Sequence, residues 1–276
     1  MRHKQYRTLK PIPVVLILIS ILFLFIMLVM PLVVVIKEAL AKGYIAYKEA
    51  ILDQYTLKAF YLTMEATLAA VLINTVFGIF AAWTITKYHF RRKKLLTTLI
   101  DIPFAISPVI AGLIFILTFG RIGWADGLLE ALDIKIVFAV PGIILGTVFV
   151  TLPFIAREII PVLNAQGSDQ EEAAALMGAG GFHIFWKVTF PQIKWALLYG
   201  IVLCAARAMG EFGAVSVLSG HLRGKTNTLP LHVEILYSEF KFNAAFAVSS
   251  ILVILAIIIL IVRNILEYKV KKAGDK

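Results

Sequence analysis

Apolar runs longer than a soluble core can use are what most constrain this chain. A helix needs roughly 18–20 consecutive apolar residues to cross about 30 Å of hydrocarbon. Six stretches qualify, at 12–36, 58–86, 95–119, 136–156, 195–219 and 244–262. Of the 276 residues, 60% are hydrophobic, where soluble domains hold about 45–50%. In lipid, segments of this length satisfy their own backbone groups only as helices. The expected fold class is an all-α polytopic membrane protein with six transmembrane helices.

Charge then orients the spans. The net charge of +10 raises the question of nucleic acid, but the basic residues gather beside spans, where they set topology. No nucleic-acid partner is expected; membrane lipid is. Lys87, Arg91, Arg92, Lys93 and Lys94 crowd the 87–94 connection. Counted with the N-terminal tail, loop 157–194 and the tail from Arg263, one side holds seventeen Lys and Arg against eight on the other. Both termini and loop 157–194 are therefore expected in the cytoplasm of a multi-pass protein. The basic start (Arg2, Lys4, Arg7, Lys10) resembles a signal peptide, but the apolar run after it is too long for one. An uncleaved first span is expected. The domain division is 1–57 (N-terminus, first span and external loop), 58–262 (a core of five spans holding loop 157–194) and 263–276 (basic tail).

Polar residues inside spans mark helix contacts or a pathway. The second span carries Thr63, Glu65, Thr67, Asn74, Thr75 and Gly78. The third is interrupted by Pro103 and by Ser107-Pro108, and freed carbonyls in a membrane must be buried or line a wet cavity. Asp101 sits at its cytoplasmic end. The fourth holds Gly142 and Gly146 at close-packing spacing, and it also carries Thr147, Thr151 and Pro153. In the fifth, Arg207 and Glu211 stand four residues apart, one helical turn, and so are expected to pair. Either they fix helix packing or they border a path. Small polar neighbours, Ser216 and Ser219 among them, keep that face open. The lone Cys204 excludes an intramolecular disulfide, and the five histidines are scattered over both sides. No catalytic constellation and no nucleotide-binding loop occur, so the chain is expected to be no enzyme and to hold no metal.

One polar stretch stands apart, Ser168–Pro191. Ser168 followed by Glu171 three residues on predicts a capping box, and Gly178 a helix stop after roughly three turns. Alanines on one face make this a surface helix built to be touched.

The residues Glu172-Ala173-Ala174, then Gly178, then Val188-Thr189-Phe190-Pro191 resemble the EAA signature of binding-protein-dependent ABC importer permeases. Val188 and Phe190 depart mildly from the usual Ile and Leu. From Arg207-Ala208-Met209-Gly210-Glu211-Phe212-Gly213-Ala214 through Val215–Glu234 the chain resembles the sulfate/molybdate branch, and within it CysW-type sulfate/thiosulfate permeases. The likeness covers patches from about Ala59 to Val262.

The resemblance implies a type I ABC importer (MetI-like) permease fold in a bacterial inner membrane. It implies that Glu171, Glu172, Ala173, Ala174, Gly178 and Pro191 couple to a cytoplasmic ATPase dimer. ATP and Mg would be bound by that partner and no cofactor by this chain. A second homologous permease, making a heterodimer, and an extracytoplasmic sulfate-binding protein complete the expected partners. A dianion path should be polar but weakly binding, which makes Ser107, Thr147, Arg207, Glu211, Ser216 and Ser219 its candidates. Import of molybdate or tungstate is the alternative within the family. An ATP-independent secondary anion transporter is the alternative outside it.

Overall fold

The computed structural model describes residues 11–274. The basic residues of the N-terminal tail lie outside them, as do the side chains from 268 on. Fourteen helices and two π-helical turns make up the described chain: α1 (Pro11–Leu24), a π turn (Phe25–Val29), α2 (Met30–Leu40), α3 (Gly43–Leu52), α4 (Gln54–Lys87), α5 (Lys93–Ala105), α6 (Pro108–Phe119), α7 (Asp126–Ala131), α8 (Val140–Gln166), α9 (Asp169–Leu176), α10 (Gly181–Ile184), a second π turn (Phe185–Thr189), α11 (Phe190–Met209), α12 (Gly213–Ser219), α13 (Leu229–Ser238) and α14 (Phe242–Gly274). Each π turn falls in the turn before a proline, Pro31 or Pro191. Proline has no N–H for the carbonyl four residues back, and the ladder slips where that bond is missing.

Among the described residues five helices are long and apolar enough to cross a membrane, and six if α5 and α6 count together. α5 and α6 meet at 108°, so the expected continuous third span is corrected to a broken pair. The break falls at Ile106–Ser107, both extended. Pro108 disfavours helical geometry in the residue before it; Pro103 sits inside α5 without ending it. The expected fifth span, 195–219, is corrected as well. Its helix starts earlier, stops at Met209, and resumes only at Gly213. Glycines 210 and 213 flank that gap, and each costs a helix about 1 kcal/mol relative to Ala. α8 runs to Gln166 and α10 begins at Gly181. The expected polar loop 157–194 therefore shrinks to 167–180, with α9 inside it.

α4, α8 and α11 form the centre. No hydrophobic force drives helices together in lipid, so close approach by small residues does that work. A Cβ on Gly78 would lie 2.8 Å from Ile155 of α8, and one on Gly200 would lie 3.1 Å from the Ile155 backbone. Asn74 Nδ2 donates to Thr151 Oγ1 at 2.8 Å and to Val148 O at 3.1 Å. Thr63, Thr67, Asn74 and Gly78 are all buried, facing other helices as their polarity predicts. α14 begins beside the end of α2, where Asn243 Nδ2 donates to Glu38 O. α1 and α2 are otherwise exposed along nearly their whole length. One end of the bundle gathers the close of α4 and of α8 with α9 and α10. The other gathers α3, the start of α4, and the α12–α13 connection.

Candidate functional site

At the α9 end, three elements converge on one carboxylate. Lys87, the last residue of α4, places Nζ 2.9 Å from Glu171 Oε2, and the two side chains are only 11% and 15% exposed. Lys87 also donates to the carbonyl of Gly167, which ends α8. Glu171 Oε1 accepts from buried Thr189 Oγ1 at 2.6 Å. Beside this, Gln192 Nε2 donates to Gln170 Oε1 at 2.6 Å. The base of α9 is thus bolted to α4, α8 and α11.

The expected capping box is absent. Ser168 Oγ makes no bond to the helix N–H groups and instead donates to Glu172 Oε1. Glu171, which a box would turn back to the Ser168 backbone, is drawn away by Lys87. Between Ser168 and Gly178 α9 holds eight residues, a little over two turns where roughly three were expected. Three acidic residues in its first turn still suit the positive end of the helix dipole.

The far end of α9 behaves oppositely. Gly178 has φ +86° and nothing within 4 Å of a Cβ position. Its N–H bonds to Ala175 O and that of Ala179 to Ala174 O, the pairing of a Schellman close with glycine in the left-handed position. Just before this turn the chain presents Leu176 at 90% and Met177 at 82% exposure, and just after it Phe182 is also exposed. Ala174 is buried against the protein, while Ala173 and Glu172 face outward.

A second junction lies where α5–α6 and α11–α12 break. A Cβ on Gly213 would stand 2.7 Å from Pro108 Cβ, and one on Gly112 would stand 2.8 Å from Ala214 O. The first turns of α6 and α12 therefore pack directly together. Glu211 sits in the gap after α11, which corrects the expectation of one continuous helical face for Arg207 and Glu211. The two still pair, Nη1 to Oε2 at 2.7 Å, with Arg207 35% and Glu211 1% exposed. Glu211 Oε1 also accepts from Ala214 N–H at 2.8 Å, capping α12.

On the opposite face the 219–232 segment folds inward. Thr226, Asn227, Thr228 and His232 are all buried. Leu229 N–H donates to Thr63 Oγ1 of α4 at 2.8 Å. Thr56 Oγ1 gives its proton to Ala50 O, so His232 Nε2, 3.2 Å away, is the donor to Thr56. Burial, and then the charge of Arg223, push the His232 imidazole below its ordinary pKa; Asp53 and Glu239 oppose this. Arg223 also bonds the Glu239 carboxylate, which, with help from Lys241, holds that acid below the usual carboxylate range.

Residues 74–272 match the family described as the binding-protein-dependent transport system inner membrane component. That match covers well over half of the chain. This chain belongs to that family. The permease is 44% identical over 242 residues to the sulfate transport system permease protein CysW of Escherichia coli (strain K12), covering 88% of its own length and 83% of that protein's. To CysT, a sulfate transport system permease protein of the same organism, it is 33% identical, covering 86% of each chain. The permease also superposes on a chain of a bacterial alginate ABC transporter in complex with alginate-bound periplasmic protein. That match has a TM-score of 0.78 and covers 95% of both chains. At 15% identity the likeness is one of fold alone.

Against this frame the residues singled out by sequence divide. Glu172, Ala173 and Gly178 lie on the outer side of α9 in this permease. Glu171 and Ala174 instead hold its base and inner face. Pro191 stands beyond α9, beside the second π turn. Ser107, Arg207, Glu211 and Ser216 gather at the junction of the two breaks. Thr147 and Ser219 are buried with their hydroxyls engaged, Thr147 on Ile143 O and Ser219 on His221 N–H. Sequence reading missed Leu176, Met177 and Lys87. An apolar pair just before a helix-stopping glycine in a polar loop was the available signal for the first two.

Proposed function

We propose that this chain is the membrane-spanning permease subunit of an ATP-driven importer of sulfate or thiosulfate. The observation that carries this is α9, a short helix bolted at its base to three spans and bare at an apolar tip. Such a helix is built to be moved by something outside the membrane. The partner would be a cytoplasmic ATPase dimer holding ATP and Mg, so the α9 side, with both termini, would be cytoplasmic. The sulfate permease relatives support the substrate. That one organism holds both a CysW and a CysT supports a second, homologous permease beside this one. The alginate transporter's periplasmic protein supports a substrate-binding protein on the other face.

The anion would pass where the breaks of α6 and α12 meet. Unwound backbone and the starts of helices at such a point suit an anion without binding it tightly. Ser107 and Ser216 would border it. Thr147 and Ser219, fully buried among the helices, are left out. Arg207 would be largely neutralised by Glu211, so the pair mainly holds the break in shape. The test is uptake of labelled sulfate into proteoliposomes carrying the full complex. Uptake should need ATP and stop with vanadate. Strong competition by molybdate with no sulfate uptake would replace the substrate. Uptake without the ATPase would point to a lone secondary transporter.

A further inference from the structure

The pairing of Lys87 with Glu171 has no counterpart in the α9 motif itself, and it reaches a helix that does not flank α9 in sequence. α8 and α11 must move with α9 because the chain joins them. α4 has no such bond. We propose that Lys87 is a positioning residue that yokes α4 to α9, so that α9 movement is delivered through α4 to the opposite face of the membrane. This rests on the permease reading above.

The geometry is that of a rod fixed at three points. α4 has 34 residues, about 50 Å at 1.5 Å per residue. At its α9 end Lys87 grips both Glu171 and the Gly167 carbonyl, in a nearly closed site. Midway, Asn74 and Gly78 lock it against α8. At its start Thr63 accepts the Leu229 N–H and Thr56 meets His232, so α4 holds the buried segment that leads from α12 into α13. No proline interrupts the rod, and the Asp53 carboxylate caps its start on the Tyr55 and Thr56 N–H groups. The same α12 carries the glycine face that packs on α6. A push on α9 therefore reaches the junction of the breaks by two routes, along α11 and along α4. Only the second needs Lys87.

An ordinary lysine at a helix C-terminus would do something different. It would favour the helix dipole slightly and leave transport untouched. The two roles separate in one ratio, sulfate taken up per ATP hydrolysed by the complete importer in proteoliposomes. Lys87→Met should lower that ratio by about tenfold, within the usual range of coupling between sites. The exchanged pair, Lys87→Glu with Glu171→Lys, should recover part of it, because it restores the attraction between α4 and α9 and loses only the bond to the Gly167 carbonyl. An unchanged ratio in Lys87→Met overturns the proposal, and so does an exchanged pair as poor as the single change. Should Lys87→Met not assemble, Glu171→Gln carries the test, since it keeps an acceptor for Thr189 and removes only the charge. The same drop supports the yoke, and a wild-type ratio overturns it. A wild-type complex that shows no ATP-dependent uptake at all would instead remove the permease reading underneath.

Discussion

Two glutamates, Glu171 and Glu211, hold the two ends of α11 in place, and they do so under different conditions. Glu171 is 15% exposed and joined by Lys87 and Thr189 in the polar zone beyond the spans. Glu211 is 1% exposed within the bundle and joined by Arg207 and the Ala214 N–H. The first pair ties α9 to the ends of α4 and α8 and to the turn before α11. The second stabilises a gap in a helix where the membrane offers no water to do so. Glycine use repeats the contrast. Gly178 at the α9 end has unlimited room and needs only its positive φ, whereas Gly112 and Gly213 at the break need only the room. One end of the molecule is shaped to meet something else, the other to meet itself.

The comparison is broken most forcefully at Arg207. Removing one partner of a buried pair costs about 3–5 kcal/mol, because the other charge is left behind. Arg207 is one-third exposed, so Arg207→Ala should fall near the low end, about 3 kcal/mol. Thermal unfolding of the purified protein in detergent reads this directly. A variant as stable as the parent would mean that Glu211 is not the buried, dependent charge described.

Next in size is Gly112→Ala. The added methyl would meet the Ala214 carbonyl at 2.8 Å and Val217 Cβ at 3.1 Å, and backbone cannot yield as a side chain tip can. Overpacking of this kind costs about 1–3 kcal/mol. The same thermal assay checks it. No loss of stability would show that α6 and α12 are not held face to face.

His232 gives a smaller effect with a direction in pH. Its pKa is lowered by burial, so the fold favours the neutral ring. The unfolded chain takes up the proton first as pH falls through about 6.5. Stability from this group is therefore full above that pH and declines below it, by at most about 1.4 kcal/mol per pH unit. His232→Gln should flatten the decline between pH 7 and 5. A slope that survives the change would belong to another group.

How much of this could be read from sequence follows the same division. The spans and the α9 motif were legible because each is a local pattern: a run of apolar residues, or an acidic-alanine turn closed by Gly178. The break at Gly210–Phe212 was not, since the hydropathy of 195–219 averages across it. Met-Gly-Glu-Phe-Gly, a charge between two glycines, was the trace it left. The bend at Ser107 was half legible: Pro108 announced an interruption but not its 108°. The Lys87–Glu171 contact left no trace, because Lys87 reads as one more basic residue in the 87–94 cluster that sets topology. The missing capping box has the same cause. A local rule assigned Glu171 to Ser168, and a partner distant in sequence took it.

The smallest effect on stability should come with the sharpest effect on partnership. Leu176 and Met177 are almost wholly exposed, so Leu176→Ser with Met177→Ser removes no packing within the chain. Surface changes of this sort stay within about 0.5 kcal/mol. Yet two exposed apolar side chains side by side at a fixed tip suit an apolar pocket on a partner, and truncating such an anchor there should cost about 2 kcal/mol of binding, about thirtyfold. The double variant should therefore keep its melting temperature and lose the ATPase proposed as its partner on co-purification. The result to fear is the reverse, a destabilised protein that still brings the ATPase with it. The apolar tip would then be covered by the permease's own chain, and the contrast between the α9 end and the break would collapse.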